Sequence, residues 1–160
     1  MYQWIIVDGN NLVHSDQDGL FGDHRTDFDS ARRALARLLD ELVGELAEKV
    51  TIVFDGTIGG TDETFQASDL QVIFAPSDKT ADDVIERMAA KAPEPGRVLV
   101  VSSDRGERDT VRAAGAETMS CRHFIELVRE CRQTLHKRLV QRSRLRGSRP
   151  SLGDFFPQAG

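Results

Sequence analysis

Cysteine is scarce in this sequence, and its spacing does not suit the sites that cysteine usually builds. Cys121 and Cys131 form no Cys-x-x-Cys pair, and neither has a histidine pattern at zinc-ligand spacing nearby. We therefore predict neither a disulfide framework nor a structural zinc site. A reducing cytoplasm is the expected compartment, because disulfides persist mainly in oxidising ones.

Long apolar runs are also missing. The apolar run nearest the N-terminus is four residues long and has no basic region before it, which argues against a signal peptide. No other run approaches membrane-spanning length, so we expect no contact with a membrane. The 160 residues, 39% of them hydrophobic, are enough for one good core. We predict one domain over residues 1–146 and a C-terminal tail over residues 147–160.

Several familiar catalytic signatures are absent as well. Ser102 and Ser103 have no histidine and acid in a triad-like arrangement, so a serine hydrolase is not expected. Gly59 and Gly60 are not followed by Lys-Ser or Lys-Thr, which excludes a phosphate-binding loop of the P-loop type. The four histidines are scattered, and a lone histidine is more often a surface residue than a ligand. They are His14, His24, His123 and His136.

Short β-branched runs alternate with amphipathic segments along the chain. Apolar runs predict strands at residues 4–7, 50–54, 70–75, 98–101 and 117–120. Helical spacing predicts helices at residues 28–48, 81–92, 105–114 and 122–146, and residues 12–25 are expected to form a polar loop. This alternation is typical of βαβ units, so we predict an α/β fold with a mainly parallel sheet of about five strands.

Acidic residues follow three of these strands. Asp8, Asp55 and Asp104 each come at or just after a strand end, and Asp82 and Asp83 open a helix. The carboxyl ends of parallel strands meet at one edge of a sheet, which is where ligands bind in such folds. Clustered carboxylates repel one another unless a cation binds them, and oxygen-only ligands suit Mg²⁺ or Mn²⁺. The pattern therefore predicts a divalent metal site suited to phosphodiester chemistry.

The two acids of the second helix can be separated by position. Thr80 is placed to cap the helix, and Asp83 then occupies the third helical position, from which an acid reaches back to the cap. Asp82 lies three residues before Ile85, at the edge of the buried face. We therefore favour Asp82 over Asp83 as the metal ligand; the alternative is that these acids serve only the helix dipole, as acids at a helix N-terminus often do.

Four motifs in order resemble those of the YacP-like branch of the NYN domains, which have a PIN-like nuclease fold. They are Asp8-Gly-Asn-Asn11, Val53-Phe-Asp-Gly56, Thr80-Ala-Asp-Asp-Val-Ile-Glu86 and Val101-Ser-Ser-Asp104, and the resemblance spans most of residues 2–130. It implies a three-layer sandwich with the first strand central, and a Mg²⁺-dependent endoribonuclease linked to ribosome-associated mRNA decay.

The resemblance also suggests roles for individual residues. Asp8, Asp82 and Asp104 resemble the catalytic, metal-binding acids of the family. Asn11 resembles its amide after the first acid, and Ser103 its hydroxyl before the last. Asp55 would then be an accessory acid. Asn10 stands where a phosphatase-like hydrolase on a similar sheet would need a second acid, which disfavours that alternative.

The end of the sequence is basic. Residues 131–149 contain seven lysines and arginines and no acid. Because the whole chain has a net charge of −5, the rest of the chain carries −5 − 7 = −12. Such asymmetry is compatible with a surface that binds RNA phosphates, or with a merely solvated helix face. The alternative to a nuclease is thus a non-catalytic RNA- or ribosome-binding module. The predicted phosphate contacts are Arg138, Arg142, Arg144, Arg146 and Arg149.

Overall fold

A central sheet organises the computed structural model of the protein, in which residues 2–56, 60–61 and 69–148 are described. The order of its strands is β3-β4-β2-β1-β5-β6. Five strands run parallel, and the two-residue β3 pairs antiparallel with β4. The predicted, mainly parallel sheet is therefore confirmed. The strands are β1 (Tyr2–Asp8), β2 (Ala47–Phe54), β3 (Gly60–Thr61), β4 (Leu70–Phe74), β5 (Val98–Val101) and β6 (Glu117–Met119).

Helices cover both faces of the sheet. Ile5 and Val7 of β1 pack in one apolar cluster with α1, α2 and α5, whereas Ile6 packs in a second cluster with α3 and α4. Because both faces of β1 are buried, its sequence is a continuous apolar run without alternation. The result is a three-layer sandwich. The helices are α1 (Gly9–His14), α2 (Phe28–Leu46), α3 (Ala81–Lys91), α4 (Arg105–Ala113) and α5 (Cys121–Ser148), with a 3₁₀ turn at Pro95–Arg97.

The register of the sheet aligns the strand ends that carry acids. Asp8 pairs with Val53 of β2 on one side, and Val7 pairs with Val101 of β5 on the other. The first strand is thus central, as the resemblance implied. Since the three strands are parallel and end together, the residues that follow them lie along one edge.

The local structure differs from the predictions in two places near the N-terminus. The expected loop after Asn11 is in part a helix, α1, whose Leu12 and Val13 are buried. Two apolar residues are too few to show helical periodicity in sequence. In sequence, Thr26 followed by Asp29 resembles a capping box for the helix predicted from residue 28. In the structure Asp27 caps this helix, α2, by accepting a hydrogen bond from the Ser30 amide at 3.0 Å.

Other expectations concern cysteines, membranes and the C-terminus. Both cysteines are free. None of the helices within the described ranges is long and apolar enough to cross a membrane. The helix α5 continues to Ser148, and the division of the chain after residue 146 stays a prediction. Arg149 lies outside the described residues.

Candidate metal centre

Three carboxylates converge at the sheet edge. Asp8 at the end of β1, Asp82 in the first turn of α3 and Glu107 in the first turn of α4 each offer an oxygen within 4.8 Å of the others. Asp8 is 1% exposed and Glu107 2% exposed, so two of the three are almost fully removed from water. Such a group of buried acids is unfavourable unless its charge is neutralised by protons or a cation.

Asp8 is held by the residues directly after it. Its Oδ2 atom accepts a hydrogen bond of 2.5 Å from Nδ2 of Asn11, and its Oδ1 atom accepts one of 3.3 Å from the Asn11 amide. Asp8 therefore caps α1 while facing the other acids. Gly9 is required there, because a Cβ atom would collide with the ring of Phe54.

The start of α3 places Asp82. Thr80 and Asp83 form the predicted capping box: Oγ1 of Thr80 accepts from the Asp83 amide at 3.2 Å, and Oδ2 of Asp83 accepts from the Thr80 amide at 3.0 Å. Hydrogen bonding from Thr80 to the ionised carboxylate lowers the pKa of Asp83. The separation of the two acids by position is thus confirmed, since Asp83 serves the cap and Asp82 joins the cluster.

Asp55 connects the end of β2 to the start of α3. Its Oδ1 atom accepts a 2.8 Å hydrogen bond from the Ala81 amide, one residue before Asp82. The amide of Asp55 donates in turn to Oδ1 of Asn10 at 2.9 Å. Asp55 therefore fixes α3 relative to α1 and β2, and it acts on the site through the position of Asp82.

Asp104 and Glu107 divide the tasks expected of one acid. Oδ1 of Asp104 accepts hydrogen bonds from the amides of Gly106 at 2.8 Å and Glu107 at 3.2 Å, so Asp104 caps α4. Glu107, one turn later, occupies the third corner of the carboxylate cluster. Our sequence reasoning missed Glu107. The available signal was its position four residues before Val111, the other buried residue of a helix with few apolar side chains.

Two serines lie on either side of this turn. Oγ of Ser102 donates to Oε2 of Glu107 at 2.6 Å and accepts from the Asp104 amide at 3.0 Å, which fixes both acids. Ser103, the predicted accessory hydroxyl, lies 3.3 Å from Oγ of Ser15. Ser103 and Ser15 both lie near the thiol of Cys121; burial raises the pKa of this thiol, and the two hydroxyls oppose the rise. Within the described residues, the polar contacts of Ser103 are thus to the α1 and α5 side of the site.

Burial changes the acidity of the cluster. It raises the pKa of Asp82 to about 6, with the charges of Asp8 and Asp104 adding to the effect. Burial likewise raises the pKa of Glu107 to about 9, and the charges of Asp8 and Asp82 add to it although the bond from Ser102 opposes them. Protons therefore neutralise part of the cluster at neutral pH unless a cation does so.

The residues present fit a hard divalent cation. The donors are all carboxylate oxygens, which suit Mg²⁺ and Mn²⁺ better than softer metals. Oε1 of Glu107 is buried and has no hydrogen-bond partner within the described part of the chain, whereas Oε2 is held by Ser102. A buried oxygen without a partner is costly, and either a cation or a proton shared with a neighbouring acid would satisfy it.

Comparison with known proteins agrees with this geometry. The profile of the YacP-like NYN domain matches residues 5–153. The chain belongs to this family. Its fold is that of the NYN domains, a PIN-like fold, and no curated protein matches the chain significantly.

Two crystal structures show the likeness in three dimensions. Rae1 (YacP) from Bacillus subtilis is 23% identical, with a TM-score of 0.73, over 90% of this chain and 83% of that protein. The W164L mutant of Rae1 (YacP) is 25% identical, with a TM-score of 0.69, over 94% and 86% of the two chains. A YacP-like NYN domain with an acidic cluster at the strand ends is consistent with an RNA endonuclease.

The four described arginines that were predicted to bind RNA lie on α5, away from the acids. The helix α5 begins at the site edge with Cys121 and runs away from it. At 1.5 Å per residue, Arg142 is about 30 Å further along the helix axis. Arg138 forms a two-pronged ion pair with Glu45 of α2, with both N–O distances 3.0 Å. Arg142, Arg144 and Arg146 are exposed.

Proposed function

We propose that this YacP-like NYN domain is a metal-dependent endoribonuclease that hydrolyses RNA phosphodiester bonds. The observation that carries the proposal is the convergence of Asp8, Asp82 and Glu107, with one buried oxygen of Glu107 left without a protein partner. A bound Mg²⁺ or Mn²⁺ would activate water and offset negative charge on the phosphate. Hydrolysis would break the bond from phosphorus to the 3′ oxygen and leave a 5′-phosphate and a 3′-hydroxyl.

The chain's own residues have distinct tasks in this proposal. Asn11 orients Asp8, and Ser102 orients Glu107 so that Oε1 stays available as a ligand. Asp82 is the most accessible of the three acids and its pKa is raised to about 6, so it is suited to exchange a proton with the reacting groups. Asp104 would take part in metal binding through Oδ2, because both capping bonds are made to Oδ1.

The second candidate is a non-catalytic RNA- or ribosome-binding module. It is favoured by the three exposed arginines of α5, which lie far from the acids and can contact a polyanion without them. A role in ribosome-associated mRNA decay, in the cytoplasm, fits either candidate.

The test compares cleavage of an end-labelled RNA by wild type, Asp8→Asn and a matched control, Asp109→Asn. Asp109 is an exposed acid of α4 paired with Arg112, so the control removes the same charge outside the site. We expect the cleavage rate of Asp8→Asn to fall by more than the roughly 10- to 100-fold that is typical when a residue hydrogen-bonded to a metal ligand is changed. The control should keep full activity, and EDTA should stop cleavage by wild type.

Two results would contradict the proposal. Undiminished cleavage by a folded Asp8→Asn protein, shown by an unchanged thermal melt, would remove Asp8 from the reaction. Metal-independent RNA binding by wild type without any cleavage, with ribosomes also supplied, would favour the binding module.

A further inference from the structure

The loop between α1 and α2 is held in a defined shape beside the acidic site. Asp16 is 3% exposed, and its two oxygens accept hydrogen bonds from the amides of Leu20 at 2.9 Å and Phe21 at 2.8 Å. Gly19 and Gly22 have φ angles of 72° and 91°, which favour glycine. These constraints bring the later part of the loop back against the end of α1.

Three rings meet where the loop returns. His14, the last residue of α1, lies edge-on to His24 with ring centroids 5.5 Å apart. Its ring centroid is 5.4 Å from that of Phe28, the first residue of α2, at an angle of 33°. His14 is exposed, and His24 and Phe28 are half-buried. The rings thus form a partly open aromatic surface, supported from three separate segments of the chain.

Two cavities flank these rings and differ in charge. One, of about 670 Å³, shares His14, His24 and Arg25 with the other, but it is also lined by Asp16, Asp18 and Asp23, which make it less favourable to an anion. The other, of about 530 Å³, has no acid among its lining residues, which are Asn10, His14, His24, Arg25 and Phe28. We call this second space the ring cavity.

Arg25 supplies positive charge to the ring cavity. Its side chain is exposed and makes no ion pair within the described ranges, and its backbone amide is held by Asp23 at 3.1 Å. The nearby acid Asp23 is occupied by that amide and by Oγ1 of Thr26 at 2.7 Å. These bonds lower the pKa of Asp23, so its carboxylate stays charged nearby. The guanidinium is available to a phosphate because it is exposed and unpaired within the described ranges, and it can bind one through two parallel hydrogen bonds.

The ring cavity adjoins the acidic site through α1. Asn10 lines the cavity and hydrogen-bonds the amide of Asp55, which in turn holds the start of α3 beside Asp82. His14 is six residues beyond Asp8, so the helix rise places it about 9 Å along the axis from the site. That separation suits a neighbouring nucleotide of the same strand.

We propose that the ring cavity binds one nucleotide of single-stranded RNA next to the scissile phosphate, with its base stacked on His14 and Phe28 and its phosphate on Arg25. This inference rests on the proposed function. A base within a duplex is already stacked on both faces, so the cavity favours unpaired RNA. Any base can stack on these rings. The cavity therefore distinguishes single-stranded from duplex RNA without selecting a particular sequence.

The test measures binding and turnover separately. Affinity for a fluorescent single-stranded RNA, without divalent ions, should fall about 5- to 150-fold in His14→Ala, the range expected for loss of one stacked base. His14→Phe, which keeps a ring face, should restore most of it. Arg25→Gln should reduce the salt slope of binding by about 0.7, the value for one phosphate contact. With Mg²⁺ present, KM should rise in His14→Ala while kcat changes little.

Matched controls remove a ring or a positive charge elsewhere. His123→Ala and Arg112→Gln change exposed residues that do not line the ring cavity, and both should bind RNA as wild type does. Equal RNA affinity of wild type, His14→Ala and Arg25→Gln would overturn the inference while leaving the nuclease proposal intact. Weakened binding in these variants of a protein that cleaves no RNA would support the ring cavity and reject the nuclease.

Discussion

The charged side chains of the acidic site are largely buried and held in place, whereas those of the basic half of α5 are exposed. At the acidic site, Asp8 and Glu107 are buried and each is held by hydrogen bonds from its neighbours. On α5, Arg142, Arg144 and Arg146 are exposed to solvent about 30 Å or more along the helix from its start at the site edge. Buried, oriented charge can act on a reacting atom, whereas exposed charge mainly attracts a polyanion through a screened field.

The largest expected effect separates Glu107 from Asp104 at the acidic site. Glu107→Gln should reduce metal-dependent cleavage by more than about 100-fold, because it removes one of the three carboxylates that would hold the cation. Asp104→Asn should reduce cleavage less, because asparagine also caps helices and the first turn of α4 is kept. Cleavage rates across a Mg²⁺ titration measure both. A smaller loss for Glu107→Gln than for Asp104→Asn would reverse the assignment of these two acids.

Stability of the metal-free protein should depend on pH through the same carboxyls. Burial raises the pKa of Glu107 from 4.5 to about 9, so between these values the folded state binds more protons than the unfolded state. Stability must then fall as pH rises through this window. Thermal melts in EDTA should show it, and Glu107→Gln should remove much of the decline. Mg²⁺ or Mn²⁺ should stabilise wild type most at the alkaline end, and a flat melting profile for wild type in EDTA would contradict the buried acidic cluster.

A smaller effect is expected from the exposed arginines of α5. Replacing Arg142, Arg144 and Arg146 together by Gln should reduce the salt slope of RNA binding by about 2, because each single-strand phosphate contact contributes about 0.7. Cleavage of saturating short RNA should hardly change, since the helix carries these residues away from the acids. Binding titrations at several salt concentrations measure the slope. Identical slopes for wild type and the triple mutant would leave this surface as a solvated helix face.

The smallest expected effect concerns Arg138, which our sequence reasoning grouped with those arginines. Its ion pair with Glu45 joins α5 to α2, so Arg138→Gln should affect stability more than RNA binding. Both side chains are partly exposed, and such pairs contribute about 0.2 to 1 kcal/mol. A double-mutant cycle with Glu45→Gln, followed by urea denaturation, measures the coupling. If Arg138→Gln instead lowers the salt slope of RNA binding as much as the loss of one of the other arginines does, Arg138 contacts the RNA.

Some features of the site follow from residues close together in sequence. The capping box of Thr80 and Asp83 was predicted, and with it the separate role of Asp82, because such a cap depends on four consecutive residues. Glu107, the third acid of the cluster, was not predicted. Asp104 follows β5 as the motif suggested, but its Oδ1 atom caps α4, and Glu107 joins Asp8 and Asp82 in the cluster. This arrangement depends on how α4 packs against α3 and the sheet.

The sequence by itself determined the alternation of strands and helices, the acid at the end of the first strand, and the resemblance to the YacP-like NYN family, which implied that this strand is central. These features depend on apolar periodicity, caps and short motifs, which are local. Only the tertiary structure decided which acids meet, that Arg138 pairs with Glu45, and that the loop after α1 places His24 against His14. The physical reason is that each of these contacts joins segments whose relative position is set by packing on the sheet, and no local pattern encodes that position.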